Sequence, residues 1–283
     1  MNVFQILISG LRITTPLLLA ALGGIFNSQV GLMNIGIDGM MVLSGFSAAL
    51  VGFHTQNIFL SVGSAVITGV AVGLIFAFFV VRLKANLIIT GLAINILATG
   101  LSGYLLSVVF GVQGMFSSNK IPRLPGLGIK EFDVIVYLSW ISILLVSFIL
   151  YQTVFGLRLR SIGENKDAAM SLGINAHKYM YASYVISGVF AGFAGSHLVL
   201  SLQLFSKDIT AGRGFIALAA ILFGNSKPVP TALACMAFGL VESLQIRMQS
   251  TFEIPPQIIQ MLPYIAVVAA LWINSARKKG AIT

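Results

Sequence analysis

The sequence predicts an all-α, polytopic transmembrane helical bundle of about eight to nine spans with broken or re-entrant segments, forming a single unit over residues 1–283. Three observations carry this. Hydrophobic residues make up 57% and charged residues 9% of the chain, against roughly 25% charged in a soluble domain. Apolar runs of membrane-spanning length recur from end to end. The seventeen Lys and Arg, with a formal net charge of +9, gather at the ends of those runs rather than in a patch interleaved with aromatics, which argues against nucleic acid as a partner.

In order, the apolar runs cover 3–25, 35–53, 58–81, 86–110, 134–152, 180–203, 228–247 and 258–274, eight helical spans by length. The start shows no basic stretch, short apolar core and cleavage site, so the first segment is expected to stay in the mature protein. A ninth run, 210–224, reaches only about 22 Å as a helix across an apolar core about 30 Å thick. It reads as a tilted span, a re-entrant segment or half of a broken helix. The single cysteine, Cys235, lies in an apolar run and reads as a small buried residue, with neither a disulfide nor a Cys/His metal site in reach.

Orientation follows from the longest polar interruption, 155–178, which carries Arg158, Arg160, Lys166 and Lys178. Positive surplus between two spans marks a cytoplasmic loop. Alternating outward from it places Arg82, Lys84, Lys227 and the tail Arg277, Lys278 and Lys279 inside. The cytoplasmic side then holds ten Lys and Arg and the remainder seven, including Arg12. With nine spans the N-terminus is outside. The largest external loop, 111–133, holds Pro122, Pro125, Lys120, Arg123, Lys130, Glu131 and Asp133, a composition for an irregular connection and a surface for an extracytoplasmic partner.

Polar residues within the spans are few. Gly31 to Met41 reads GLMNIGIDGMM, so Asn34 and Asp38 sit at the start of an apolar run. A carboxylate at the centre of a span costs roughly 2.5–3.5 kcal/mol, so Asp38 lies near an interface or faces a wet cavity. A helix start, with Asn34 as cap and Asp38 in the first turn, fits equally. Asn95 lies between Gly91 and Gly100, with Tyr104 about two turns on. Loosened helices whose backbone lines a cavity are where transporters hold substrate, so Asn34, Asn95 and Tyr104 are expected to share a cavity. His197 and Glu242 read as satisfied packing residues. Gly69 with Gly73, and Gly188 with Gly192 and Gly195, have the spacings of close helix contacts.

Asp167, Ala168 and Ala169, followed after three residues by Gly173, resemble the EAA...G signature of ABC importer permeases, in which a short cytoplasmic helix docks on the ATPase. Asp167 stands where Glu is usual, and no Leu-Pro follows ten residues on. Physically, Ala168 and Ala169 permit close helix approach and Gly173 can end a helix with positive φ. Arg158, Arg160 and Glu164 complete the charged surface of this expected coupling loop, about 155–178.

The order NIGIDGMM, ANLIITGLAIN, GENKDAAMSLGI and AGRGFIALAAILFGN resembles the permeases of nucleoside and simple-sugar ABC importers, relatives of the branched-chain amino-acid permeases, from about residue 16 to 250. Glu is usual there at the position of Asp38, and a polar residue is often found at that of Leu87. The resemblance implies half of the translocation pathway for a nucleoside, of purine type, in a bacterial cytoplasmic (inner) membrane. It implies three protein partners besides the lipid bilayer: a second, longer permease, an ABC ATPase subunit binding ATP and Mg, and an extracytoplasmic substrate-binding lipoprotein. A simple sugar, riboflavin or an amino acid is the alternative cargo. This chain has no phosphate-cradling G-x-x-x-x-G-K-[ST] loop and no nucleophile, base and orienter set, so it reads as a non-enzyme transport subunit with no cofactor of its own. A secondary transporter would need more intramembrane ionisable groups than are present, and a channel would need repeated pore elements.

Overall fold

The computed structural model describes residues 3–127 and 132–251. The expected eighth span, 258–274, the basic tail, and Lys130 and Glu131 lie outside them. Among the described residues seven helices are long and apolar enough to cross a membrane: α1 (Val3–Gln29), α2 (Ile37–Thr55), α3 (Ile58–Ala77), α4 (Leu87–Phe110), α5 (Val134–Gln152), α8 (Ala176–Leu202) and α10 (Pro228–Thr251). A π turn, Phe78–Arg82, continues α3. Between α5 and α8 lie two short helices, α6 (Val154–Glu164) and α7 (Lys166–Ser171), and α9 (Arg213–Phe223) precedes α10. Strands β1 (Met115–Ser117) and β2 (Leu204–Ser206) pair antiparallel.

Helix α8 is the axis of the bundle, packed on α1, α2 and α3. Its glycines make this possible. A Cβ on Gly188 would lie 2.4 Å from the Gly69 carbonyl oxygen, and one on Gly195 would lie 2.3 Å from that of Met41. In lipid, where apolar burial between helices gains little, such backbone-to-backbone approach supplies the packing. Tyr184 stacks on Phe76 at 4.8 Å between ring centroids, one turn from the Gly69–Gly188 contact.

The two ends of the bundle are distinct. At one, Phe46, Phe53, Phe110, Phe116 and Phe205 cluster beneath the β1–β2 pair. At the other, Gly163 of α6 touches the Gln29 carbonyl at the end of α1. Helices α1, α3 and α5 run toward the end that carries α6 and α7, and α4, α8 and α10 run away from it.

Burial is uneven. The α1 span is 72% buried and the α4 span 22%. Helix α4 keeps one face on the bundle, with Asn95, Ala98, Ser102 and Leu106 buried, and leaves Leu92, Ile96, Leu97, Leu101, Tyr104 and Val108 exposed.

Candidate functional site

Two spans are broken, and their breaks meet. After α1, residues 30–36 are not helical, with Gly31 at φ +77°, and α2 begins at Ile37, part-way through the bundle. After β2, residues 207–212 enter the bundle from the β1–β2 end without forming a helix. They turn through Ala211 and Gly212, at φ +46° and +74°, and α9 starts at Arg213. Its eleven residues cover only about 16 Å, half the apolar core. The short run 210–224 is thus the helical half of a broken span.

Backbone freed by a break must find partners when no water is at hand. Asn34 accepts from its neighbour Gly36 N–H at 3.1 Å and donates to Ser187 Oγ at 2.9 Å. Asn95 donates to the Ile35 carbonyl at 2.9 Å and accepts from Gly39 N–H at 2.8 Å. Asp38 joins the two breaks. Its Oδ1 accepts from Gly214 N–H at 2.9 Å and its Oδ2 from the Thr210 hydroxyl at 3.1 Å. The carboxylate therefore lies in the first turn of α2 and at the N-terminus of α9, where both helix dipoles favour negative charge. Arg213 turns back, donating to the Ile209 and Thr210 carbonyls and pairing with Glu242 of α10.

Asn34, Asp38 and Asn95 thus belong to one junction, as fasteners of irregular backbone, Asn34 and Asn95 buried and Asp38 partly so. Tyr104 is not with them. Nine residues beyond Asn95, it is turned about 180° around α4 and is 65% exposed. The stem of Lys207 lies against neighbouring Gly103, and the space beside Gly100 is open. Lys207, Asp208 and Ala211 are exposed as well. Lipid cannot cover exposed non-helical backbone, whereas a water-filled path or another protein can.

Thr210, Arg213 and Gly214 went unread in the sequence. Their signal was the AGRG stretch, two glycines around a basic residue at the head of an apolar run too short to span. The expected packing residues His197 and Glu242 each meet a polar partner, Glu242 in the ion pair with Arg213 and His197 beside the Asp133 carboxylate. His197 Nε2 lies 3.2 Å from Asp133 Oδ2. Asp133, at the start of α5, also caps that helix by accepting from Ile135 and Val136 N–H at 3.0 and 3.1 Å. Burial pushes its carboxyl up, but the His197 hydrogen bond and charge, with the two backbone donors, outweigh burial and hold it below the ordinary range. Beside it a cavity of about 510 Å³ opens outward, lined by Arg12, Arg123, Asp133 and Ser201 among others.

Between α6 and α7, Asn165 caps α7 by accepting from Ala168 N–H at 3.0 Å. The helix closes with Gly173 at φ +82°, its N–H bonded to Met170 and that of Ile174 to Ala169, the paired bonds of a Schellman end. Ala168 is exposed and Ala169 is 2% exposed. The two do not share an outward face, because consecutive helical residues point about 100° apart. Alongside Ala168 the surface shows Met170 at 46% and Leu172 at 82% exposure. Glu164 and Asp167 are exposed, Asp167 in the first turn of α7. Arg158 donates to the Tyr179 hydroxyl at 2.7 Å, and Arg160 lies over the Tyr151 ring, so both arginines tie α6 to the ends of α8 and α5.

Several known proteins are similar. The nucleoside ABC transporter permease protein NupC of Lactococcus lactis subsp. cremoris (strain MG1363) is 33% identical over 97% of this chain and 94% of its own length. The guanosine ABC transporter permease protein NupQ of Bacillus subtilis (strain 168) is 36% identical over 90% and 87%. In fold, the chain is similar to a metal-chelate type ABC transporter in an inward-facing conformation, with a TM-score of 0.57 at 18% identity over 94% of this chain and 84% of that one. These relatives are transport components rather than enzymes. Residues 6–271 match the family described as branched-chain amino acid transport system / permease component, and this chain, a multi-pass membrane protein, belongs to that family.

Proposed function

We propose that this chain forms one half of the membrane pathway of an ATP-driven importer of a purine nucleoside, in the cytoplasmic (inner) membrane of a bacterium. The observation that carries the reading is identity of 33% and 36%, over nearly the whole length, to permeases of nucleoside and guanosine transporters. The other half is a second, longer permease laid against the thinly buried α4 side. ATP and Mg are bound by an ABC ATPase, and an extracytoplasmic lipoprotein delivers the cargo to the external loops.

In this reading Asn34, Asp38 and Asn95 hold the broken spans open, and Tyr104 offers an aromatic face on the path beside 207–211. Pathways of this type are mostly apolar, with a few placed polar groups. The coupling surface is Ala168 of α7 with Leu172 just beyond its end, and Glu164 and Asp167 at its edge. Arg158, Arg160, Ala169 and Gly173 keep its shape. Moving a gate from about 1:99 to 99:1 takes roughly 5.5 kcal/mol, and α6 and α7 are the longest cytoplasmic surface through which it can enter.

The test is uptake of labelled guanosine into vesicles holding the full transporter and its binding protein, with the ATPase intact or inactivated. ATP-dependent uptake that unlabelled purine nucleosides compete for, and that simple sugars, riboflavin and amino acids do not, is expected. Uptake that persists with an inactive ATPase points to a secondary transporter and overturns the reading. Competition by a sugar alone changes the cargo.

A further inference from the structure

We propose that the cytoplasmic ends of α3 and α8 form a binding site for the phosphate of an anionic glycerophospholipid. Regular helix ends early on α3. Over Phe78–Arg82 the turn widens to π geometry, closed by Leu83 N–H to Phe78 and Ala85 N–H to Phe79. Lys84 then takes φ +52°, a left-handed conformation uncommon in a residue with a Cβ. Widened turns and left-handed non-glycine residues concentrate at functional sites.

Here the widened turn and Lys84 border a cavity of about 530 Å³, lined by Val81, Arg82, Lys84, His177 and Tyr181. Arg and Lys side chains only donate hydrogen bonds, imidazole and phenol can donate, and no carboxylate lies among the lining residues, so the cavity suits an anion rich in acceptor oxygens. No ion pair or hydrogen bond joins the side chains of Arg82, Lys84 or His177 to a described residue, unlike Arg158 and Arg160, which engage tyrosines.

The source of the anion follows from what adjoins the cavity. Phe78 and Phe79, a turn before Arg82 on the bundle side, are 45% and 43% exposed, and Leu83, between the two cations, is 55% exposed. That order, acyl contact above and phosphate contact below, matches a lipid of the cytoplasmic leaflet, and basic pockets between helices on that side hold anionic headgroups. Free phosphate would leave the apolar surface unused.

The experiment is native mass spectrometry of the full-length chain with the subunits that co-purify, titrated with phosphatidylglycerol or with phosphatidylcholine of the same acyl chains. The wild type is expected to retain phosphatidylglycerol preferentially. Arg82→Gln with Lys84→Gln should weaken retention about 30-fold, the loss of two cations near an anionic surface. The charge-preserving pair Arg82→Lys with Lys84→Arg should keep it, as should Lys227→Gln, which removes a cytoplasmic cation elsewhere. Equal retention of the two lipids, or unchanged retention in the double Gln variant, overturns the proposal. So does displacement of the lipid by inorganic phosphate that binds on its own, which assigns the site to a soluble anion. Loss of the ATPase subunit from the double Gln variant with lipid retention unchanged would instead make the surface a protein contact, and equally overturns it.

Discussion

A methyl group at Gly214 tests the junction directly. A Cβ built there lies 2.5 Å from Asp38 Cβ and 2.6 Å from its Cα and N, whereas carbon contacts are comfortable at about 3.5–4.0 Å. Two of the three clashing atoms are backbone, so no rotamer relieves them, and α2 and α9 must separate by about 1 Å. Overpacking of this kind costs about 1–3 kcal/mol. The same shift stretches the 2.9 Å bond from Gly214 N–H to Asp38 beyond hydrogen-bond range, losing about 1.5–3 kcal/mol more for a charged acceptor. The total, about 2.5–6 kcal/mol, should lower the melting temperature by roughly 10 °C. Cys235, the single cysteine of the chain and fully buried on α10, supplies the assay. Its labelling by a thiol-reactive dye on heating the purified transporter reports opening of this core. Gly100→Ala, in open space, is the matched control and should melt like wild type. Asp38→Ala should be similarly damaging, and the double variant should fall short of the sum of the two singles, because both lose the one Gly214–Asp38 bond. Gly214→Ala melting together with Gly100→Ala would refute the reasoning.

Leu172→Asp should abolish substrate-stimulated ATP hydrolysis in reconstituted transporter while leaving the melting temperature within about 2 °C of wild type, since the side chain is 82% exposed; normal hydrolysis would place the coupling contact elsewhere. Gly173→Val, at φ +82°, should cost about 1–2 kcal/mol from left-handed strain, seen as faster proteolysis within 165–175 than in Gly173→Asn. The depressed carboxyl of Asp133 contributes stability that is present above the ordinary carboxylate range and lost as pH falls through its lower folded value. The melting difference between wild type and Asp133→Asn should therefore shrink as pH drops from about 5 to about 3, and a constant difference would count against the His197 contact. Gly188→Leu, against the Gly69 carbonyl, should prevent assembly of the bundle altogether, read as loss of the monodisperse species in detergent.

What the chain determined by itself was where the apolar helices of the described residues fall and where two short helices interrupt them. Those properties are local: a run's length against the thickness of the bilayer, and the charge of the segment that follows it. Even the truncated run before Pro228 was legible, because eleven helical residues cannot cross an apolar core. The partners of the polar residues were another matter. Asp38 meets Gly214, 176 positions away, and Asn34 meets Ser187, 153 positions away, and no pattern of spacing encodes a contact between separate helices. Two positions show the opposite failing, since helical phase alone sets Tyr104 opposite Asn95 and turns Ala169 away from Ala168. The tertiary structure decided which face of each helix looks inward. It did so through the glycines of α8, which let backbones touch and leave polar side chains to fasten the broken ends, because irregular backbone inside a membrane is stable only when its hydrogen bonds are satisfied from elsewhere in the fold.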